Sequence, residues 1–121
     1  MIKRTIPIIV GNWKTTPETL DLAKKCIKGI DKKCASSKLK LPKKAYYLAV
    51  PDIFIPHLTD LATRGHIGSQ NVSGVTLGQV TGTVIPSQLI SAGASFTIIG
   101  HSEVRKTGET REARAQKVAL A

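Results

Sequence analysis

A chain of 121 residues, 41% hydrophobic and 21% charged, has the composition of one small globular domain, assigned here to residues 1–121. No apolar run approaches the roughly 18 residues that span a bilayer, and the run Ile6 to Val10 is too short for a signal peptide, so no membrane association and a cytoplasmic location are expected. The formal net charge of +10 raises the question of a polyanionic partner. Aromatic residues are only 4% of the chain and do not interleave with basic ones to stack bases, so nucleic acid is not expected as a partner.

Strand-like and helix-like segments alternate along the chain. Ile6-Pro7-Ile8-Ile9-Val10 is a continuous apolar run stopped by Gly11, as expected of a strand buried on both faces. Thr16-Pro17-Glu18 predicts a helix start, with Thr16 as N-cap, Pro17 at the first helical position and an acid in the first turn. Leu20, Ala23, Ile27 and Ile30 follow at helical spacing and give one apolar stripe. A polar loop is expected from about Cys34 to Lys44. Ala45 to Val50 reads as the second strand, stopped by Pro51, and a short helix is expected after Pro56. His66 to Val72 reads as a third strand, Ser73 to Val84 as a loop without helical period, and Pro86 to Ala92 as a short helix ended by Gly93. Ser95 to Ile99 is the fourth expected strand. A helix then runs from Thr110 to Ala121, where the pattern breaks off without a stop signal and predicts an interrupted domain.

Lysines 24, 25, 28, 32, 33, 38, 40, 43 and 44 share one stretch with a single acid, Asp31. Such a run reads first as a solvated helix face and loop, and second as a polyanion-binding patch. Cys26 and Cys34 stand alone, too sparse for a disulfide framework or a metal site. They read as two reduced thiols, one of them facing the core.

Buried strands alternating with helices imply a parallel sheet with right-handed crossovers. At the exit of the fourth strand stands Gly100-His101-Ser102-Glu103, a histidine and a carboxylate where a (β/α) barrel carries its chemistry. Gly11-Asn12-Trp13-Lys14 follows the first strand in the same way. With Gln70-Asn71-Val72, Gly78-Gln79-Val80-Thr81-Gly82, Ile98 to Arg105, Gly108-Glu109 and Gln116-Lys117-Val118-Ala119, these motifs resemble the triosephosphate isomerase family in order and spacing. The resemblance implies an α/β fold, the parallel (β/α)4 half of a TIM barrel whose full form has eight units and about 250 residues.

It also implies the isomerisation of dihydroxyacetone phosphate and glyceraldehyde 3-phosphate in glycolysis and gluconeogenesis, with no cofactor and no metal. By resemblance Lys14 is the cation beside the substrate's phosphate and carbonyl, and His101 is the neutral imidazole electrophile, a known instance of histidine tuning in this family. Asn12 fixes Lys14 and contacts substrate, Glu103 orients Lys14, and Ser102 caps the following turn. Thr81 and Gly82 fall in the family's interface loop. Two departures occur together: the family's Thr-Gly-Glu becomes Thr81-Gly82-Thr83, and its Ser-Glu-Arg-Arg becomes Ser102-Glu103-Val104-Arg105. The lost Glu and Arg pair with each other in the family, so their joint loss strands no charge.

The family's general base follows its sixth strand, and its phosphate-binding amides follow the seventh and eighth. No motif of residues 1–121 matches them, so this chain alone is expected to have negligible isomerase activity. A four-stranded half leaves a bare inner face and two open edges. Self-association as a homodimer or higher oligomer is the expected remedy, with a separate C-terminal half as the alternative. In a barrel of two copies, Asp52 after the second strand would stand near the place of the missing base. A non-catalytic self-assembling half-barrel and a basic polyanion-binding protein are the competing functions.

Overall fold

The computed structural model describes residues 7–121. A parallel sheet holds strands β1 (Val10–Asn12), β2 (Tyr46–Val50) and β3 (Gly65–Ser69) in that order. Gly11 faces Leu48 across the first ladder, and Leu48 faces Ile67 across the second. Helix α1 (Leu20–Ala35) crosses from β1 to β2; a 3-10 turn (Asp52–Phe54) and α2 (Ile55–Leu58) cross from β2 to β3. Helices α3 (Pro86–Ser91), α4 (Ser102–Lys106) and α5 (Arg111–Leu120) complete the described elements.

The core forms where the helices cover the sheet. Ala23 and Ile27 of α1, Tyr46, Leu48 and Val50 of β2, Ile55 and Leu58 of α2, and Ile67 of β3 are buried together. The stripe expected at Leu20, Ala23, Ile27 and Ile30 is therefore the face that packs, and Cys34 joins its margin while Cys26 stays exposed. Among the described residues no helix is long and apolar enough to cross a membrane.

Several boundaries differ from those expected, each for a local reason. The N-cap of α1 is Thr19 and not Thr16: Thr19 is extended, and its hydroxyl accepts from the Leu22 N–H at 3.3 Å. Thr16 instead donates its hydroxyl to the Trp13 carbonyl at 2.7 Å and ties the preceding loop. The first strand was expected over Ile6 to Val10; Ile6 lies outside the described residues, and β1 continues through Gly11 to Asn12. A Cβ on Gly11 would stand 2.7 Å from Leu48, so the small residue there allows close strand packing and is no stop. Helix α2 includes Pro56 instead of following it, because proline is tolerated in a first turn.

The third strand begins a residue early and ends three early. Gly65 lies where a Cβ would meet the Tyr46 ring, and the Ser69 hydroxyl turns off the strand to the Asn71 carbonyl. Segment 95–99 is not a strand. It meets β3 at one parallel bridge, Ser69 to Thr97, and is held by Ser95 N–H to the Ile67 carbonyl, Ser69 N–H to the Phe96 carbonyl and Ile98 N–H to the Ser69 carbonyl. Its ladder is one-sided and too short to count as regular strand. The sheet's opposite edge, beside β1, leaves Ile8, Ile9 and Val10 exposed at 74%, 58% and 55%.

Candidate functional site

The C-terminal ends of β1 and β3 and the turn after segment 95–99 carry the polar residues expected to do chemistry. Lys14 leaves β1 in a left-handed conformation, φ 56°, which costs a non-glycine residue stability and must be held by its surroundings. It is held from both sides. Asn12 Oδ1 accepts from the Lys14 N–H at 2.9 Å, and Gln70 Nε2 donates to the Lys14 carbonyl at 2.7 Å. Sequence reasoning named Gln70 within a motif and gave it no task. Its signal was a long amide side chain directly after a strand, where a neighbouring loop needs a donor.

Lys14 Nζ donates to Glu103 Oε1 at 2.7 Å, and Glu103 Oε2 lies 3.7 Å from His101 Nδ1. One carboxylate thus stands between the lysine and the histidine, presenting an oxygen to each. The hydrogen bond from Lys14 holds the Glu103 carboxyl below its ordinary range, with slight desolvation opposing and the nearby positive charges assisting. His101 Nδ1 accepts from the Glu103 N–H at 3.2 Å, which makes His101 the N-cap of α4 and leaves Nε2 as the ring's free nitrogen. Ser102, expected to cap this turn, is instead the first residue of α4. Gly100 makes the approach possible: its φ is +74°, and a Cβ there would stand 2.8 Å from the Arg114 side chain.

The structure therefore brings Asn12, Lys14, Glu103 and His101 together on one rim. The rim is open: the Lys14 and Glu103 side chains are 55% and 57% exposed. Thr81 and Gly82 are exposed on the loop before α3, and no hydrogen bond among the described residues joins positions 76–83 to 100–106. Asp52 is half-buried and accepts from the Ser69 hydroxyl at 2.7 Å. Burial pushes its carboxyl up, and the Ser69 hydrogen bond only partly opposes this. Asp52 lines a cleft of about 300 Å³ with Asn71, Gly82, Thr83 and Lys117. Lys117 Nζ in turn donates to Asn71 Oδ1 at 2.8 Å and pairs with the buried carboxylate of Glu109.

A lysine hydrogen-bonded to a carboxylate, with an imidazole beside it, thus stands where the family's motifs were read in the sequence. The family model for triosephosphate isomerase matches residues 7–121. The chain belongs to the triosephosphate isomerase family. Among curated relatives named triosephosphate isomerase, that of Pseudomonas putida is 37% identical over 95% of this chain and 45% of its own length. That of Bacteroides fragilis is 34% identical over 94% of this chain and 45% of its own. That of Coprinopsis cinerea is 30% identical over 92% and 43%. The chain thus spans under half the length of the relatives it matches, and its parallel sheet with covering helices is part of a TIM barrel.

Proposed function

We propose that residues 1–121 supply the electrophilic half of a triosephosphate isomerase site. Lys14 stabilises the charge developing on the enediolate and His101, as neutral imidazole, donates from Nε2 to the oxygen that gains it. Asn12 holds the Lys14 backbone and reaches substrate, and Glu103 orients the Lys14 ammonium. The observation that carries this reading is the Glu103 carboxylate, 2.7 Å from Lys14 and 3.7 Å from His101. The substrates are the triose phosphates, interconverted by proton transfer next to a carbonyl without cofactor or metal. The cytosol, where glycolysis and gluconeogenesis use them, is the compartment that fits, as do two unpaired thiols.

No acid of this chain matches the family's general base by motif, so the 121-residue polypeptide by itself is expected to turn over negligibly. Loss of a general base alone removes about 10²- to 10⁴-fold of rate. The rim becomes competent when further strands complete the sheet. A second copy is the favoured source, with Thr81 and Gly82 at the contact; a separate C-terminal half is the alternative. Support for completion is the apolar edge at Ile8, Ile9 and Val10 together with an apolar groove of about 410 Å³ between α3 and α5, lined by Leu89, Ile90, Phe96, Ile99 and Val118. The same edges support a second reading, an assembly that keeps the rim without its chemistry.

Light scattering of the purified chain, with a coupled isomerase assay on each peak and titration with a phosphorylated hydroxamate mimic of the enediolate, tests all of this. Mimic binding that is lost in Lys14→Met and His101→Gln supports the isomerase half. A discrete oligomer that binds no mimic supports the inert assembly. Efficient turnover by a monomer overturns both.

A further inference from the structure

The chain's positive charge is concentrated in one stretch, most of α1 and the loop that follows it, that the rim does not use. Residues 24–44 hold nine lysines and one acid, and so carry eight of the ten net charges. Two of these groups are engaged internally. Asp31, the acid, accepts from Tyr46 Oη at 2.5 Å, from Thr63 Oγ1 at 2.7 Å and from the Arg64 N–H at 3.2 Å. Lys44 Nζ donates to the carbonyls of Ala62 and Gly65, each at 2.9 Å. Asp31 is thereby turned inward, which leaves Asp21, in the first turn of α1, as the one acid exposed on that helix against its five lysines.

The lysines that remain on α1 share its outer face. At 100° per residue, Lys25, Lys28 and Lys32 lie opposite the packed stripe of Ala23, Ile27 and Cys34, with Lys24 and Lys33 on either side. Lys25, Lys28, Lys32 and Lys33 are exposed, Lys24 partly so. Among the described residues, none of the five is in an ion pair. Lys24, Lys28 and Lys32 follow one another at four-residue steps, an arrangement of like charges that destabilises an isolated helix. Gly29 sits among them with open space where a Cβ would be, another choice that weakens a helix and leaves its backbone approachable.

We propose that the outer face of α1 is a sequence-independent docking surface for the phosphodiester backbone of a nucleic-acid duplex. The lysine row from 24 to 32 is about 12 Å long at 1.5 Å per residue. Phosphates of one strand recur about every 3.4 Å of duplex axis, so a row laid along the axis spans about three such intervals. Lysine offers point charges and no fixed fork, which suits backbone binding and not base readout. The shortage of aromatic residues argues against single strands, which bind by stacking; it does not bear on a duplex backbone. A membrane surface fits less well. An interfacial helix inserts its apolar face, and that face of α1 is buried in the core at Ala23 and Ile27. The surface points away from the core that α1 packs on, and it is separate from the sheet edge at Ile8, Ile9 and Val10 where completion is proposed.

The test is a titration of the full chain with a 20-base-pair duplex of mixed sequence, as DNA and as RNA, over a range of salt. The logarithm of the association constant is expected to fall with the logarithm of salt at a slope of about −4. The variant Lys25→Gln/Lys28→Gln/Lys32→Gln is expected to make the slope shallower by about 3 and to weaken binding at least tenfold at low salt. The variant Arg105→Gln/Lys106→Gln/Arg111→Gln removes the same charge elsewhere and should leave the slope near −4. Lys28→Glu guards against misfolding: it relieves repulsion from Lys24 and Lys32, so it should raise the melting temperature while weakening duplex binding. Similar binding to both duplexes supports the shared backbone chemistry, and a strong preference for one names the source. Equal losses in the two triple variants would overturn the proposal by reducing it to net charge. Binding only to phosphatidylserine vesicles, or no salt-dependent binding at all, would overturn it too.

Discussion

Glu103 Oε1 lies 2.7 Å from Lys14 Nζ, joining the exit of β1 to the start of α4 across 89 positions of sequence. Both side chains are more than half exposed, so the contact orients the lysine without contributing much to the fold. Glu103→Gln should leave the melting temperature within about a degree of the parent. Lys14 keeps its backbone ties to Asn12 and Gln70 but loses its directing charge. In the completed assembly kcat should fall by about tenfold or more, with a smaller change in KM. Steady-state kinetics beside a thermal melt check this, and unchanged kcat would remove Glu103 from its proposed task.

A second carboxylate acts on stability instead. Burial by itself would raise Asp31, but hydrogen bonds from Tyr46, Thr63 and the Arg64 N–H outweigh it and hold the carboxyl below its ordinary range. Burial and the neighbouring Asp31 charge push the Tyr46 hydroxyl far up, so it remains a donor at every pH of interest. Tyr46→Phe should therefore cost about 1–2 kcal/mol at pH 7, measured by urea unfolding. A depressed carboxyl stabilises above its unfolded pKa and loses that contribution as pH falls through the folded one. The difference between parent and variant should accordingly shrink as the pH falls below about 4.

Much of this was legible in the sequence, and the misses share a cause. The stripe of Ala23 and Ile27 and the strand at Tyr46 to Val50 rest on periodicity and local chemistry, which the chain states outright, whereas the rim motifs around Lys14 and His101 were read from their resemblance to the family. The errors fall where a distant residue decides. Gly11 reads as the bound of a strand and Gly65 falls just outside the expected third strand, yet each lies in a strand at a spot where Leu48 or Tyr46 leaves no room for a Cβ. Thr16 reads as a cap, yet the Trp13 carbonyl takes its hydroxyl. Segment 95–99 has strand composition, but a ladder needs partners and β3 supplies one bridge. Gln70 had no visible task because its acceptor, the Lys14 carbonyl, lies 56 positions away.

Asp52 titrates in the opposite sense to Asp31. Burial raises its carboxyl, so the folded state favours the protonated form and holds the ionised form at a cost. The stability linked to a raised carboxyl is present at low pH and is lost as pH rises through the folded pKa. Asp52→Asn keeps a partner for the Ser69 hydroxyl without the charge, and should raise the melting temperature at pH 7. The gain should shrink as the pH falls through the folded pKa and vanish well below the unfolded pKa of about 4, where the parent carboxyl is protonated in both states. The same variant bears on turnover: if Asp52 stands in for the missing base in a two-copy barrel, residual activity of a pure dimer should drop, and unchanged activity would end that idea.

The Lys117–Glu109 pair lies deeper than the rim contact, with side chains 11% and 5% exposed. Lys117 also reaches Asn71 Oδ1 at 2.8 Å, so it ties α5 to the segment that follows β3. Among the described residues the buried Glu109 Oε2 has no partner, which makes the carboxylate dependent on the lysine for compensation. Lys117→Met would leave that charge uncompensated and should cost about 3–5 kcal/mol, as removal of one member of a buried pair does. Lys117→Met/Glu109→Gln removes the charge as well as its partner, and should recover more than half of the loss. A urea-unfolding double-mutant cycle measures the coupling. Additive losses would mean that the pair is not what holds α5 against β3, and that the Asn71 hydrogen bond and the packing of the Lys117 stem do so instead.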